Sequence, residues 1–206
     1  IAYSPNLGYA KVAPDVAAIC QRTAERFTEA GAIVEQVSLD WPDPYDAWSV
    51  FFFGTAAGSL EKKLPAQGDL LDPGLRQVVE KGRQLRGVDF ANALAARHEF
   101  WERVRRLYER FDLLLCPTLP VLPFAVGQDD ADPIDGEVLG PLQWTRFTYP
   151  FNLTGQPAAS VPAGWTKSGL PVGLQIIGNR HADLLVLQAS RTWEQIQFWN
   201  DKWPTL

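Results

Sequence analysis

The sequence contains no methionine and only two cysteines and two histidines among its 206 residues. Two cysteines are too few for a disulfide framework. Cysteines and histidines this far apart give no metal-ligand spacing, so we expect neither a metal nor another cofactor. Because no initiator methionine is present and the chain opens on an apolar triplet, we expect a piece of a longer protein.

The sequence also lacks a basic excess and any long apolar run. Its formal net charge of −5 argues against nucleic-acid binding, which needs a basic face. No apolar run approaches the roughly 20 residues of a membrane-spanning helix. The first residues have neither the basic nor the apolar region of a signal peptide, so a cytoplasmic location is predicted.

The common sequence motifs of catalytic and nucleotide-binding sites are missing as well. There is no Gly-x-Ser-x-Gly elbow, no Walker loop and no Gly-x-Gly-x-x-Gly fingerprint. Ser160 lies between two alanines and Val161-Pro162, in a segment that is predicted to be a strand rather than a strained turn. We therefore predict no catalytic residue within this chain.

What is present indicates an α/β fold. A strand at 1–3, a helix that begins at Pro14 and ends before Gly31, and a strand at 33–39 form a βαβ unit, which should be parallel and right-handed. Further elements are expected along the rest of the chain. They are strands at 112–116, 158–161 and 172–178, and helices at 45–64, 74–86, 89–111, 140–149 and 182–198.

Two helices have features that can be checked against the structure. The helix at 45–64 is rich in aromatic and small residues, so it should be buried or should face a partner. An α/β binding or interaction module that uses this aromatic patch is one alternative function. The helix at 89–111 should be capped by Asp89. Its buried stripe should consist of Phe90, Leu94, Trp101, Val104, Tyr108 and Phe111.

The end of the predicted strand 112–116 is the first candidate site. Ligands bind beyond the carboxyl ends of strands in open α/β sheets, which places Thr118 near a pocket. A cysteine hydrolase that uses Cys116 is a second alternative, and it requires a nearby histidine base, either His98 or His181. The acidic loop from Asp129 to Glu137 lacks the spacing of an EF-hand and is predicted to be a charged surface loop.

The segment Phe147-Thr-Tyr-Pro-Phe-Asn-Leu-Thr-Gly-Gln-Pro-Ala-Ala-Ser-Val-Pro-Ala-Gly-Trp165, followed by Gly169-Leu-Pro-Val-Gly-Leu-Gln-Ile-Ile-Gly178, resembles the C-terminal signature of the amidase signature family. The resemblance implies a mixed, partly parallel sheet flanked by helices, and hydrolysis of a carboxamide to an acid and ammonia or amine. Members of the family use a Ser–cis-Ser–Lys triad in an upstream glycine- and serine-rich stretch, and no residue here matches it. Residues 1–206 are thus expected to form a single incomplete domain whose partner is the missing N-terminal half, and the chain alone should be inactive.

The resemblance also places the substrate. Segments 116–124 and 144–154 are expected to form one wall of the pocket for a small-molecule amide, with Thr118, Trp144 and Thr145 as substrate-binding residues. The glutamyl-tRNA amidotransferases of the family carry an acidic residue at the place of Thr145. Its absence argues against glutamine and favours a neutral or apolar acyl amide. A homo-oligomer is left open.

Overall fold

The structure, a computed structural model, describes residues 1–128 and 130–199, apart from the side chain of residue 69. Its strands are β1 (Ala2–Tyr3), β2 (Glu35–Gln36), β3 (Leu113–Pro117), β4 (Ala158–Trp165) and β5 (Pro171–Gly178). Its α-helices are α1 (Pro14–Arg26), α2 (Tyr45–Leu60), α3 (Leu64–Gln67), α4 (Pro73–Arg83), α5 (Gly87–Leu107), α6 (Tyr149–Thr154) and α7 (Asp183–Ile196).

The five strands form one mixed sheet in the order β2-β1-β3-β5-β4. The β1 strand pairs in parallel with both β2 and β3, whereas β5 is antiparallel to its neighbours β3 and β4. Within the described residues the outer edge of β4 has no strand partner. The expected mixed, partly parallel sheet is therefore confirmed.

Helices cover both faces of this sheet, as expected. On one face, Leu115 of β3 and Leu174 of β5 pack with residues of α1 and with Trp193 of α7. On the other face, Leu114 and Ile177 pack with apolar residues of α5 and α6. The alternation of side chains along each strand sends neighbouring residues to opposite cores.

Helix α1 forms where local signals place it. Pro14 occupies the first turn, and Val16, Cys20 and Thr23 are buried on one stripe. A 3₁₀ turn at Phe27–Ala30 continues the helix, and Gly31 ends it in the left-handed region with φ 83°. The following strand is only two residues long, shorter than the predicted 33–39.

Helix α5 differs from its prediction in its start and in its buried face. It begins at Gly87, and Asp89 is the third residue of a capping box rather than the cap, since its carboxylate accepts hydrogen bonds from the backbone N–H of Arg86 at 2.8 Å and from its guanidinium at 3.0 Å. Its buried residues are Ala93, Phe100, Val104 and Leu107. Of the predicted stripe, Val104 is buried and Tyr108 and Phe111 pack partly buried against the core, whereas Phe90 and Leu94 are 37% and 57% exposed.

The short helix expected at 140–149 lies further along the chain. The structure has a 3₁₀ turn at Gln143–Thr145, and α6 begins only at Tyr149. Pro150 lies in the first turn of α6, where its missing N–H is no loss, and Gly155 ends the helix with φ 78°. Among the described residues no helix is long and apolar enough to cross a membrane.

Candidate functional site

A pair of hydroxyl groups lies where β3 ends. The backbone N–H of Thr118 donates to the carbonyl of Gly173 on β5 at 2.9 Å, which extends the ladder by one residue. The Oγ1 atom of Thr118 lies 2.7 Å from Oγ of Ser160 on β4. Thr118 is half-buried and Ser160 is exposed, so this pair of hydroxyls is open to a ligand.

The glycine between these strands makes room for the pair. A Cβ atom at Gly173 would lie 2.8 Å from both Oγ of Ser160 and Oγ1 of Thr118, closer than real side chains approach. Only a residue without a side chain allows the two hydroxyls to meet above β5. The signature glycine at this position thus has a local reason that the sequence did not reveal.

A cavity of about 320 Å³ opens at this carboxyl edge of the sheet. Besides the two hydroxyls and Gly173, its lining is apolar: Leu119, Val121, Leu122, Pro123, Phe124, Pro171 and Val172. A second cavity of about 400 Å³ shares the 121–124 segment and continues towards residues 131–135. A mostly apolar cleft with a few polar groups is the usual form of a small-molecule site.

Trp144 reaches this cavity through Phe124. The two rings pack edge to face, with centroids 5.6 Å apart and planes at 76°. The indole Nε1 of Trp144 is buried and has no hydrogen-bond partner among the described residues. Trp144 itself lines neither cavity, so it touches the wall only through Phe124, and its role in substrate binding stays a prediction.

Thr145 is held by its own turn. Its Oγ1 donates to the carbonyl of Leu142 at 2.7 Å, and its backbone N–H donates to the same oxygen at 3.0 Å. The side chain is half-buried, and neither of the two cavities described above is lined by it. Its role in substrate binding stays a prediction.

A buried ion-pair network, which the sequence analysis missed, lies directly behind this turn. Arg146 is 4% exposed, and its guanidinium lies 2.9 Å from Glu137 and 3.5 Å from Asp43. The hydroxyl of Tyr149 donates to the carboxylate of Asp43, and the hydroxyl of Tyr9 donates to the carbonyl of Arg146 at 2.7 Å. Arg146 directly precedes the signature segment, and no local sequence feature indicated that it would be buried.

The contacts within this network keep the guanidinium of Arg146 charged and the hydroxyl of Tyr149 neutral. Burial alone would lower the pKa of Arg146, but its hydrogen bond to Glu137 and the charge of Asp43 outweigh that effect and raise it. Burial raises the pKa of Tyr149, and its hydrogen bond to Asp43 raises it further. Arg146 thus stays cationic and ties together three distant segments, which orients the turn that carries Trp144.

Cys116 does not have the surroundings of a nucleophile. It is fully buried, and burial raises the pKa of its thiol, the opposite of what a reactive cysteine requires. Its sulfur accepts a hydrogen bond from the side-chain amide of Gln175 at 3.4 Å, and the same amide donates to the carbonyl of Phe147 at 2.8 Å. The structure argues against the cysteine hydrolase and assigns Cys116 to the core.

Two further polar features of the sequence are His98 and the acidic loop from Asp129 to Glu137. The ring of His98 stacks on Trp101, with centroids 6.0 Å apart, on the exposed side of α5. Asp129 lies outside the described residues, so the acidic loop is seen only in part. Among the residues that are described, no group of three or more histidine, cysteine or acidic side chains could hold a metal ion.

The profile of the Amidase family matches residues 1–187 of this chain. The chain belongs to the amidase family. It is 34% identical over 208 residues to an acylamidase of Rhodococcus erythropolis, an alignment that covers 99% of this chain and 43% of that protein. It is also 42% identical over 99 residues to one chain of the glutamyl-tRNA(Gln) amidotransferase of Cyanothece, across 48% of this chain and 20% of that protein.

The fold of this amidase-family chain agrees with solved structures. A bacterial aryl acylamidase of the amidase signature family superposes with a TM-score of 0.83 at 29% identity, over 99% of this chain and 46% of that protein. The chain thus spans less than half the length of these amidases. The family and fold inferred from the signature segment are confirmed, and the activity of a whole protein is a matter for proposal.

Proposed function

We propose that this chain supplies one wall of the substrate pocket of an amidase that hydrolyses a carboxamide to a carboxylic acid and ammonia or an amine. The nucleophile and its base lie outside these 206 residues, and residues 1–206 are an incomplete part of one domain. Thr118, Trp144 and Thr145 contact the substrate. The observation that carries the proposal is the cavity at the carboxyl edge of the sheet, with its pair of hydroxyls at one end.

The geometry divides the binding task between two regions. The apolar lining from Leu119 to Phe124 receives the acyl group, and the pair of Thr118 and Ser160 holds a polar atom of the substrate by hydrogen bonding. The catalytic half adds the activated serine and the backbone donors that stabilise the oxyanion. Two free, buried cysteines agree with our placement of the reaction in the reducing cytoplasm.

The same lining supports a neutral or apolar acyl amide as the substrate. Thr145 stands where the amidotransferases carry an acidic residue, and the neighbouring Arg146 is a buried cation. A substrate with a free ammonium group would therefore meet no free carboxylate at this turn. The name of the Rhodococcus erythropolis relative, an acylamidase, agrees with such a substrate.

A non-catalytic binding role is the second candidate, and one observation favours it. Phe52 of α2 is 40% exposed and lines an open cleft together with Trp48 and Phe51, and a contiguous exposed apolar patch is typical of a binding surface. Such binding would need only residues of this chain. It is compatible with the proposed hydrolysis, because a longer enzyme could contain both sites.

The test is an assay of the purified chain beside the chain joined to its upstream coding sequence. The chain alone should hydrolyse acetamide, benzamide and aryl anilides no faster than buffer, and the joined protein should hydrolyse at least one of them. Turnover by the chain alone that is lost on Ser160→Ala would contradict the proposal. Loss on Cys116→Ala would instead restore the cysteine hydrolase.

A further inference from the structure

An open cleft of about 490 Å³ lies along helix α2, and it shares no lining residue with the cavity at Thr118. Three of its lining residues are the aromatic side chains Trp48, Phe51 and Phe52 of α2. Its floor is completed by Leu153 of α6, and its polar lining includes Arg97 of α5. The volume falls within the range of small-molecule sites, roughly 300–1,000 Å³.

The aromatic rings of this cleft are already ordered for stacking. Trp48 is 8% exposed and stacks on Phe52 with centroids 4.7 Å apart and planes at 20°. On its other side Trp48 stacks on Tyr149, with centroids 5.0 Å apart. Phe52 also packs edge to face with Phe53 at 5.9 Å, but it is 40% exposed and lines the cleft, so its exposed part can contact one more ring.

The cleft has a cation without an acidic partner. The guanidinium of Arg97 lies 5.9 Å from the centroid of Phe51, and no carboxylate of the described residues lies within 4.0 Å of it. Arg97 also lines an adjoining cavity of about 260 Å³, together with His98 and Arg180. The guanidinium of Arg180 likewise lies over a ring, Trp101, at 5.4 Å and has no carboxylate partner among the described residues.

This charge arrangement selects the kind of ligand. The chain as a whole carries a formal net charge of −5, and most arginines whose contacts are described pair with Asp or Glu. Arg97 instead lies beside the ring of Phe51 with no acidic partner among the described residues, whereas Nε of Arg180 donates to the carbonyl of Thr154 at 2.9 Å. A guanidinium binds a carboxylate in a bidentate manner, and the interaction is stronger where aromatic walls exclude water.

We propose that this cleft binds an aromatic carboxylate, with its ring stacked on Phe52 and its carboxylate paired with Arg97. Asn152 and Thr55 at the rim supply further polar contacts. The aromatic rings and the guanidinium together define the ligand. The rings favour an aromatic group, and the guanidinium without an acidic partner favours an anion. The site does not depend on the proposed hydrolysis, because none of its residues lines the cavity at Thr118.

The experiment is a ligand-observed NMR titration of the full chain with benzoate, benzamide and acetate. Benzoate should bind saturably. Benzamide lacks the charge and acetate lacks the ring, so the affinity of each should be lower than that of benzoate by roughly tenfold or more. Arg97→Gln should weaken benzoate binding by roughly tenfold or more while leaving benzamide unchanged. Phe52→Ala should weaken both aromatic ligands.

The matched control is Arg103→Gln. It removes the same charge from the same helix, but Arg103 faces Asp40 at 3.8 Å and does not line the cleft. Circular dichroism of each variant checks that α2 and α5 remain folded. Equal affinity for benzoate and benzamide, equal losses in both arginine variants, or no saturable benzoate binding would each overturn the proposal, whatever the outcome of the amide assays.

Discussion

The hydroxyl oxygens of Thr118 and Ser160 lie 2.7 Å apart, although 42 residues separate them in sequence and strand β5 lies between their strands. They meet because Gly173 leaves the space above β5 empty. The pair and the glycine form one unit, so a change at any of the three residues should affect the other two. This unit is the polar end of the proposed acyl pocket.

Gly173→Ala should destabilise the chain by about 1–3 kcal/mol, because its Cβ would collide with both hydroxyls and overpack this site. Urea unfolding measures the change. Gly58→Ala is the matched control, since a Cβ at Gly58 meets nothing within 4 Å and alanine favours the helix. Equal stability of the Gly173 variant and the unchanged chain would mean that the strands separate freely here.

Trp144→Ala should change the choice of substrate in the enzyme formed with the upstream region. Phe124 loses the ring that packs against its face, so the wall of the cavity recedes and larger acyl groups are favoured. The ratio of kcat/KM between a bulky and a small acyl amide should shift by roughly 10–200-fold. A uniform fall in activity with unchanged preference would place Trp144 in the scaffold.

Thr145→Asp should increase activity towards amides that carry a free ammonium group. The substitution introduces a carboxylate at the place where the family resemblance implies one in the amidotransferases, and it removes the hydroxyl that donates to the carbonyl of Leu142. Thr145→Val is the control, because it removes the same hydrogen bond without adding charge. The measurement compares an aminoacyl amide with its uncharged analogue, and an identical response of both variants would contradict the prediction.

Stability should fall as the pH rises above about 8.5. Burial raises the pKa of Cys20 to about 12 and also raises that of Cys116. The unfolded thiols ionise from about pH 8.5, so the stabilisation is complete below that pH and is lost as the pH rises towards the folded pKa. Each thiol should contribute a loss of roughly 2 kcal/mol by about pH 10.

Urea midpoints at about pH 7.5 and about pH 10, with a reductant present, measure this alkaline loss. Cys20→Ala should lower stability at both pH values but should reduce the difference between them. A midpoint that does not change over this interval would show that the thiols are not ionised more readily after unfolding. Tyrosines of the unfolded chain are about half ionised at pH 10 and add to the loss, so the difference between Cys20→Ala and the unchanged chain isolates the thiol.

Local signals determined much of the secondary structure. Pro14 and Gly31 bound the first helix and its 3₁₀ extension, as their backbone preferences require. The signature segment determined the family, since its residues match at fixed spacing over 147–178. Where several helix faces could be buried, as in α5, the sequence alone predicted only part of the buried face: Val104 was right, and Phe90 and Leu94 were wrong.

The tertiary structure alone decided the site. Sequence placed Thr118 at a strand end, but only the order β3-β5-β4 brings Ser160 beside it, because the strand between them comes last in sequence. Likewise nothing local to Arg146 indicates that it is buried, and only the fold surrounds it with Asp43 and Glu137. Propensity and periodicity act over a few residues, whereas hydroxyl pairs, ion pairs and cavities depend on which distant segments the sheet and the cores bring together.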